Sequence, residues 1–234
     1  MKRFLLIITL ISLFLTEGMS YTKNIETTTK IQQSNIYLDE ARNLVRKNNL
    51  IEAENKLNLA LLLNDNNENA YYTFGQIEEA KGNYDKAINY YTKAIQIKPH
   101  NDEFYYARGC AQSYNYNLIA VINDMNKAIE LNPKNGKAYG FLAASYCRFG
   151  YFEEALDYVN KAIQYDKSTL DMLYPARAEL YVILKKYDSA INDYKKAIIE
   201  IKKRNNINKS QNIEQLKLKI FEIQEGKKVF KQNI

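Results

Sequence analysis

The sequence predicts an all-α fold, an α-solenoid of stacked helical hairpins, on three observations. An alanine recurs at Ala60, Ala94, Ala128, Ala162 and Ala197, at intervals of 34, 34, 34 and 35 residues. A second alanine stands seven positions before four of them, and Val121 stands seven before Ala128. This spacing of nearly two helical turns puts both members of each pair on one helix face. Three prolines and eight glycines are too few for a sandwich or barrel with many turns. Small residues recurring at this period let neighbouring helices approach closely, so the hairpins are expected to stack.

The first twenty residues have the pattern of a secretory signal peptide. Two basic residues are followed by an apolar run over 4–15 and by a small-x-small sequence that ends at Ser20. The run is shorter than the roughly 20 residues that span a bilayer. We therefore expect cleavage after Ser20 and export to a periplasm or out of the cell, with an uncleaved membrane anchor as the alternative. Residues 21–33 are polar and are expected to form a flexible linker.

Five repeats of about 34 residues follow the linker. Each is predicted to consist of two helices of about a dozen residues, joined by a tight turn such as the one at Gly82 or Gly150. Pro99 and Pro133, also 34 residues apart, end two of the repeats because a helix interior does not tolerate proline. In order, the predicted repeats are 34–67, 68–101, 102–135, 136–170 and 171–204.

One repeat carries a family signature more completely than the others. Residues 68–101 contain, in register, Tyr71, Phe74, Gly75, Gly82, Tyr84, Ala87, Tyr91, Ala94 and Pro99. This pattern resembles the tetratricopeptide repeat, with its spaced aromatic, glycine, alanine and proline positions. The resemblance covers roughly 34–204 and is weaker in the two outer repeats. It implies a right-handed superhelix whose first helices line a concave groove that holds a peptide or another protein.

The register of the resemblance assigns the residues that would contact such a ligand. The protein-binding candidates are Leu38, Arg42, Tyr72, Gln76, Tyr106, Cys110, Tyr114 and Arg148. Tyr72 and Tyr106 are the most informative, because tyrosine combines a large contact area with a hydroxyl group; the alternative is that both are core aromatics. Family members that grip the acidic C-termini of chaperones have Lys and Asn where this chain has Leu38 and Arg42. We therefore expect a scaffold or adaptor for a ligand of mixed composition.

The net positive charge of the chain arises entirely from its C-terminal end. The net charge is +6, yet residues 1–200 carry 24 basic and 24 acidic side chains, whereas residues 201–234 carry nine and three. Apolar residues recur at helical spacing within 205–234, so we predict a basic amphipathic helix that caps the last repeat. A second hypothesis is that this helix makes an electrostatic contact with a membrane surface or, less favoured, a nucleic acid.

The sequence offers little for catalysis or for a cofactor. His100 is the only histidine, and no glycine-rich phosphate loop is present. Cys110 and Cys147 are the only cysteines and cannot supply a zinc shell with the usual spacing. We expect them to remain as two thiols, with a disulfide as the alternative. The sequence therefore predicts no enzyme, no catalytic residues, no metal, no cofactor and no small-molecule substrate.

Overall fold

The computed structural model describes the backbone of residues 2–204 and 209–232, and the side chains of residues 23–204 and 209–226. In that part of the chain the regular structure is entirely α-helical, with eleven helices and no strand, which confirms the predicted all-α fold. The helices are α1 Lys2–Arg46, α2 Leu50–Leu63, α3 Glu68–Ala80, α4 Tyr84–Ile97, α5 Asp102–Tyr114, α6 Leu118–Leu131, α7 Gly136–Arg148, α8 Phe152–Tyr165, α9 Leu170–Ile183, α10 Tyr187–Lys203 and α11 Lys209–Gln232.

The helices belong to two compact units. Unit 1 is Met1–Pro99 and contains α1 to α4; unit 2 is His100–Ile234 and contains α5 to α11. In unit 1 each helix packs against the next, and α1 also contacts α3. In unit 2 the same nearest-neighbour packing runs from α5 to α11. Each unit is thus a short stack of helical hairpins in which a helix contacts mainly its neighbours along the chain.

The recurring small residues lie where the helices of each hairpin meet. Gly75 shows how close the approach is, since a Cβ atom there would lie 2.4 Å from the ring of the fully buried Tyr91. A side chain larger than hydrogen would therefore push α3 away from α4. Nine alanines and one valine make up the two series, and all ten are at most 1% exposed: Ala53, Ala60, Ala87, Ala94, Val121, Ala128, Ala155, Ala162, Ala190 and Ala197.

One residue in the left-handed region forms the turn inside each hairpin. These residues are Asn48, Gly82, Tyr116, Gly150 and Lys185, with φ between 57° and 80°. They recur at the same 34- and 35-residue intervals as the alanines. Glycine adopts this conformation without strain, whereas the other three residues do so at a steric cost. A single backbone geometry thus closes every hairpin, although only two of the five turns contain the glycine that favours it.

Asparagine side chains cap helices and also connect successive repeats. Asn67 and Asn135 each accept a hydrogen bond from a backbone amide in the first turn of α3 and α7. The Nδ2 of Asn67 also donates to the buried hydroxyl of Ser34 at 2.9 Å, and that of Asn135 donates to the carboxylate of Asp102 at 3.0 Å. Both partners lie 33 residues earlier in the chain. The cap of one first helix therefore fixes its position on the first helix before it.

The prediction of a flexible segment over 21–33 is wrong, because α1 continues through it as a helix. The hydroxyls of Thr27, Thr28 and Thr29 donate to carbonyls four residues earlier, and Lys30 pairs with Glu26 at 2.7 Å. Neither glycine nor proline occurs between this segment and the end of α1, so nothing stops the helix from extending outward from its packed part.

Residues 1–20, the predicted signal peptide, lie outside the residues whose side chains are described. Among the described side chains of α1, which begin at Lys23, the first buried one is that of Ser34. Within the described residues, no helix combines enough length with enough apolar character to cross a bilayer.

The C-terminal helix α11 covers the last hairpin. Ile213 and Leu216 are buried in a cluster with Ala178, Tyr194 and Ile201 of α9 and α10. The amphipathic pattern read in the sequence therefore corresponds to a helix that packs its apolar face on the repeats.

Candidate protein-binding faces

The first helix of each hairpin exposes side chains that are not needed for packing. The ninth residue of every repeat shows this: Gln76, Ala144 and Glu179 are exposed, whereas Arg42 and Cys110 are half-buried. We define the first-helix face of unit 1 and that of unit 2 by the members that follow. Unit 1 contributes Arg42, Asn69, Tyr72, Gln76 and Glu79, and unit 2 contributes Tyr106, Cys110, Tyr114, Ala144 and Arg148.

The face of unit 1 is polar and held in place by hydrogen bonds. Arg42 donates from Nη2 to the side-chain oxygen of Asn69 at 3.2 Å, which joins α1 to α3. The hydroxyl of Tyr91 donates to Glu79 at 2.7 Å, and the ring of Tyr72 lies 5.6 Å from that of Tyr91. A guanidinium, an amide and a carboxylate are thus fixed along one side of two helices, where they can form hydrogen bonds with a ligand.

Leu38 is the one predicted contact residue that the structure removes from this face. Only 4% of its surface is exposed, because it packs in a cluster with Ala41, Leu57 and Phe74. Burying apolar surface is worth about 25 cal/mol per Å², so a leucine that can reach the core is stabilised there. The prediction that Leu38 contacts a ligand is therefore wrong.

The face of unit 2 is more apolar and spans α5 and α7. Tyr106 is half-buried and meets Phe141 of α7 edge-on, with ring centroids 5.7 Å apart. Cys110 is half-buried against the core of the same hairpins, whereas Tyr114, at 56%, and Arg148 are exposed. Tyr72 and Tyr106 each pack on an aromatic neighbour and keep part of their surface exposed. That they contact a ligand stays a prediction.

The two cysteines and the single histidine are the residues that catalysis or a metal site would need. Cys110 and Cys147 form no disulfide, and His100 is exposed between α4 and α5. Among the side chains that the structure describes, no three His, Cys, Asp or Glu residues come close enough to hold a metal ion.

A pair of positions sixteen residues apart, which the sequence patterns above did not single out, links the two helices of each hairpin. In the first, third and fifth repeats the pair is ionic. Lys56 meets Glu40 at 2.6 Å, and Arg108 forms a two-pronged contact with Asp124 at 2.8 and 2.9 Å. The hydrogen bond and charge of Asp124 raise the pKa of Arg108. The fifth repeat has the same kind of ion pair, with Arg177 as its basic residue.

In the second and fourth repeats the same two positions are apolar. Phe74 and Tyr90 stack with centroids 5.0 Å apart, and Tyr158 packs on the cluster that contains Leu142. The alternation of charged and apolar pairs is visible in the sequence once residues sixteen apart are compared across repeats. That comparison is the signal by which these contacts can be found from the chain alone.

The lysines of α11 are partly engaged within the protein. Lys217 pairs with Glu214 at 2.7 Å, and Lys219 pairs with Glu179 of α9 at 2.5 Å. The side chains of Lys227, Lys228 and Lys231 lie outside the described residues. The basic character of the tail is thus partly neutralised where the helix meets the last repeat.

Known proteins share this repeat and this fold. A family model described as TPR repeat matches residues 75–113, and one described as Tetratricopeptide repeat matches residues 174–198. None of the curated proteins compared matches the chain.

Several solved structures match over most of the chain. YrrB, described as a TPR protein with an unusual peptide-binding site, is 23% identical over 76% of this chain and 90% of its own, with a TM-score of 0.59. MamA is 23% identical over 74% and 93%, with a TM-score of 0.63. PilF of Pseudomonas aeruginosa is 13% identical over 85% and 95%, with a TM-score of 0.67. At such identities the likeness establishes the fold. Together with the two matching family models, it shows that this chain is a tetratricopeptide-repeat protein.

Proposed function

We propose that the protein is an exported scaffold that binds a protein or peptide ligand through the first-helix faces of its repeats. Tetratricopeptide-repeat proteins generally mediate protein–protein interaction, and their fold is typically non-catalytic. The observation that carries the proposal is that each face has an exposed residue at the same repeat position, Gln76 in unit 1 and Ala144 in unit 2. The face of unit 1 also carries the hydrogen-bonded pair of Arg42 and Asn69.

The chemistry of the two faces suits an extended peptide of mixed composition. Amide and guanidinium groups hydrogen-bond a peptide backbone, and half-buried tyrosines offer apolar contact with little loss of side-chain entropy. The face of unit 1 carries one arginine and one glutamate, so it does not select a strongly acidic ligand. Peptide binding by a protein of this fold is described for YrrB, which gives the proposal a precedent.

Export is the second part of the proposal. It rests on the basic start and the apolar run of residues 4–15. Between Lys23 and Gln33, the described residues nearest to the expected cleavage point, no side chain is buried in the repeats. Sequencing the N-terminus of the protein from its native host should give a chain that starts at Tyr21. A chain that starts at Met1 would contradict export by a cleaved signal.

Affinity capture tests the binding faces. The chain, tagged at its C-terminus, is expressed in the native host and its partners are compared with those of Gln76→Arg and Ala144→Arg variants. Asn89→Arg and Asn123→Arg are matched controls, because they add the same charge at exposed positions of the second helices α4 and α6.

An added arginine on a first-helix face should block the ligand by bulk and charge, and capture should fall about tenfold, which corresponds to about 1.4 kcal/mol. The two controls should capture the partner as the parent does. If all four variants capture the partner as well as the parent does, the ligand does not bind at these faces.

The alternative contact through the basic tail makes a different prediction. Binding to phosphate groups weakens steeply with salt, whereas a neutral groove responds little. Since Lys217 and Lys219 already lie in ion pairs, we expect capture to change little as salt is raised. A steep loss would favour the membrane-surface or nucleic-acid contact instead.

A further inference from the structure

A cavity lies in unit 2 where α11 crosses the last hairpin. Its volume is about 340 Å³, and it is lined by Val182 and Ile183 of α9 and Ile223 of α11, with Tyr194 of α10 beside them. Ligand sites in proteins range from about 300 to 1,000 Å³. This cavity therefore has room for one or two side chains, but not for a further helix.

The cavity continues the first-helix face of unit 2. Glu179, Val182 and Ile183 occupy the same places in their repeat as Ala144, Cys147 and Arg148 do in the repeat before. Ile183 stays 47% exposed although α11 covers the rest of the hairpin. A helix that served only to shield the last repeat would be expected to cover this isoleucine, so the opening is not explained by capping alone.

The rim of the cavity carries an excess of negative charge. Two carboxylates, Glu179 and Glu222, stand against one ammonium group, that of Lys219. Lys219 is held in place, because it pairs with Glu179 at 2.5 Å and lies over the ring of Tyr194 at 5.7 Å. Among the described side chains, no ion pair is formed by Glu222. Its carboxylate thus adds a negative charge to the rim that no ion pair with a described side chain offsets.

The inner wall stays uncharged at any ordinary pH. Tyr194 is only 2% exposed, and burial together with the charge of Glu179 raises the pKa of its phenol to about 12. A neutral ring with aliphatic neighbours suits an aliphatic side chain, and the acidic rim suits a basic residue beside it.

We propose that this cavity binds an aliphatic side chain of the ligand peptide, with Glu222 contacting a lysine or arginine that follows it. The inference rests on the proposed function and names the kind of segment that unit 2 selects. It commits to a peptide with an aliphatic residue next to basic ones; an acidic peptide and an isolated basic peptide are the other possible occupants.

Methyl NMR of the whole chain, labelled at isoleucine and valine, reads the cavity directly. The probe is the capped peptide acetyl-Leu-Lys-Lys-amide, titrated to its solubility limit. Saturable shifts are expected at the methyl groups of Val182, Ile183 and Ile223. The peptides acetyl-Leu-Glu-Glu-amide and acetyl-Gly-Lys-Lys-amide should bind at least about fivefold more weakly, since each lacks one of the two recognised features.

Substitutions test separately how the charge and the shape of the cavity contribute to peptide binding. Glu222→Lys should weaken the Leu-Lys-Lys peptide about fivefold, and Val182→Phe should abolish its shifts by filling the cavity. Glu214→Lys is the matched control, because it makes the same charge change on α11 at a residue that does not line the cavity.

The inference is overturned if the Leu-Lys-Lys peptide causes no saturable shift at these methyl groups, if all three peptides bind equally, or if Glu214→Lys acts as Glu222→Lys does. These readouts do not depend on capture of a partner. If the arginine variants Gln76→Arg and Ala144→Arg leave capture unchanged while the peptide still fills the cavity, the proposed function fails and the cavity site stands. If the arginine variants lose capture but the peptide causes no saturable shift, the cavity site fails and the proposed function stands.

Discussion

Replacing one member of the ion pair between Arg177 and Asp193 should destabilise unit 2 strongly. Arg177 donates from Nε and Nη2 to the two carboxylate oxygens at 2.6 and 2.9 Å, and from Nη1 to Asn160 at 2.7 Å. Only 15% and 2% of the two side chains are exposed. Burial by itself lowers the pKa of Arg177, but the hydrogen bonds and charge of Asp193 outweigh it and raise the pKa. The guanidinium of Arg177 is therefore charged in the folded chain.

The size of the effect follows from what each substitution leaves behind. Removing one partner of a buried ion pair costs about 3–5 kcal/mol, because the remaining charge is buried without compensation. For Asp193→Asn we expect about 3 kcal/mol, the lower end, since Asn160 still accepts a hydrogen bond from the guanidinium. The double variant Arg177→Leu/Asp193→Tyr copies the apolar pair of Leu142 and Tyr158 from the repeat before. It should lie within about 1 kcal/mol of the parent, because both buried charges are gone.

Urea unfolding followed by far-UV circular dichroism measures both variants against the parent chain. The midpoint should fall clearly for Asp193→Asn and return close to the parent value for the double variant. If the double variant is as unstable as the single one, the burial of an unpaired charge is not what destabilises Asp193→Asn. A single variant within roughly 0.5 kcal/mol of the parent, the range of ordinary surface substitutions, would show that the pair is solvated and contributes little.

Two further predictions concern stability. Gly75→Ala should cost about 2 kcal/mol by overpacking, since the new methyl group would meet the Tyr91 ring at 2.4 Å; Gly140→Ala, with no atom nearer than 3.7 Å, should be neutral or gain up to about 1 kcal/mol. Destabilisation by both alike would contradict the close approach of α3 and α4. Burial alone would raise the pKa of Glu78 and Asp166, but hydrogen bonds from neighbouring donors lower them below the ordinary 4.5 and 3.8. A carboxyl whose pKa is lowered by folding stabilises the fold at pH values above its pKa in the unfolded chain, and this stabilisation is lost as the carboxyl is protonated. The urea midpoint should therefore fall as the pH drops through 4.5 and 3.8. A midpoint that is flat there would refute this.

The candidate site was predictable only as far as the register of the repeats reaches. That register identified Gln76 as an exposed first-helix residue, and it placed Tyr72 and Tyr106 on the two faces. It also assigned Leu38 to a face, which is wrong, because burial depends on the helices that pack around a residue and not on its own spacing. Periodicity gives the side of a helix that a residue occupies, but not what covers that side.

The sequence by itself determined the helical hairpins, their 34-residue period, the small residues at the helix contacts and the amphipathic last helix. These depend on interactions over one or two helical turns, which are legible in a linear chain. The tertiary structure alone decided that α1 continues through 21–33 and that a cavity forms beside α11. At its rim Glu179 contacts Lys219, which lies 40 residues later in the chain. Such a contact is set by the angle at which two helices cross, and no local pattern in the sequence specifies that angle.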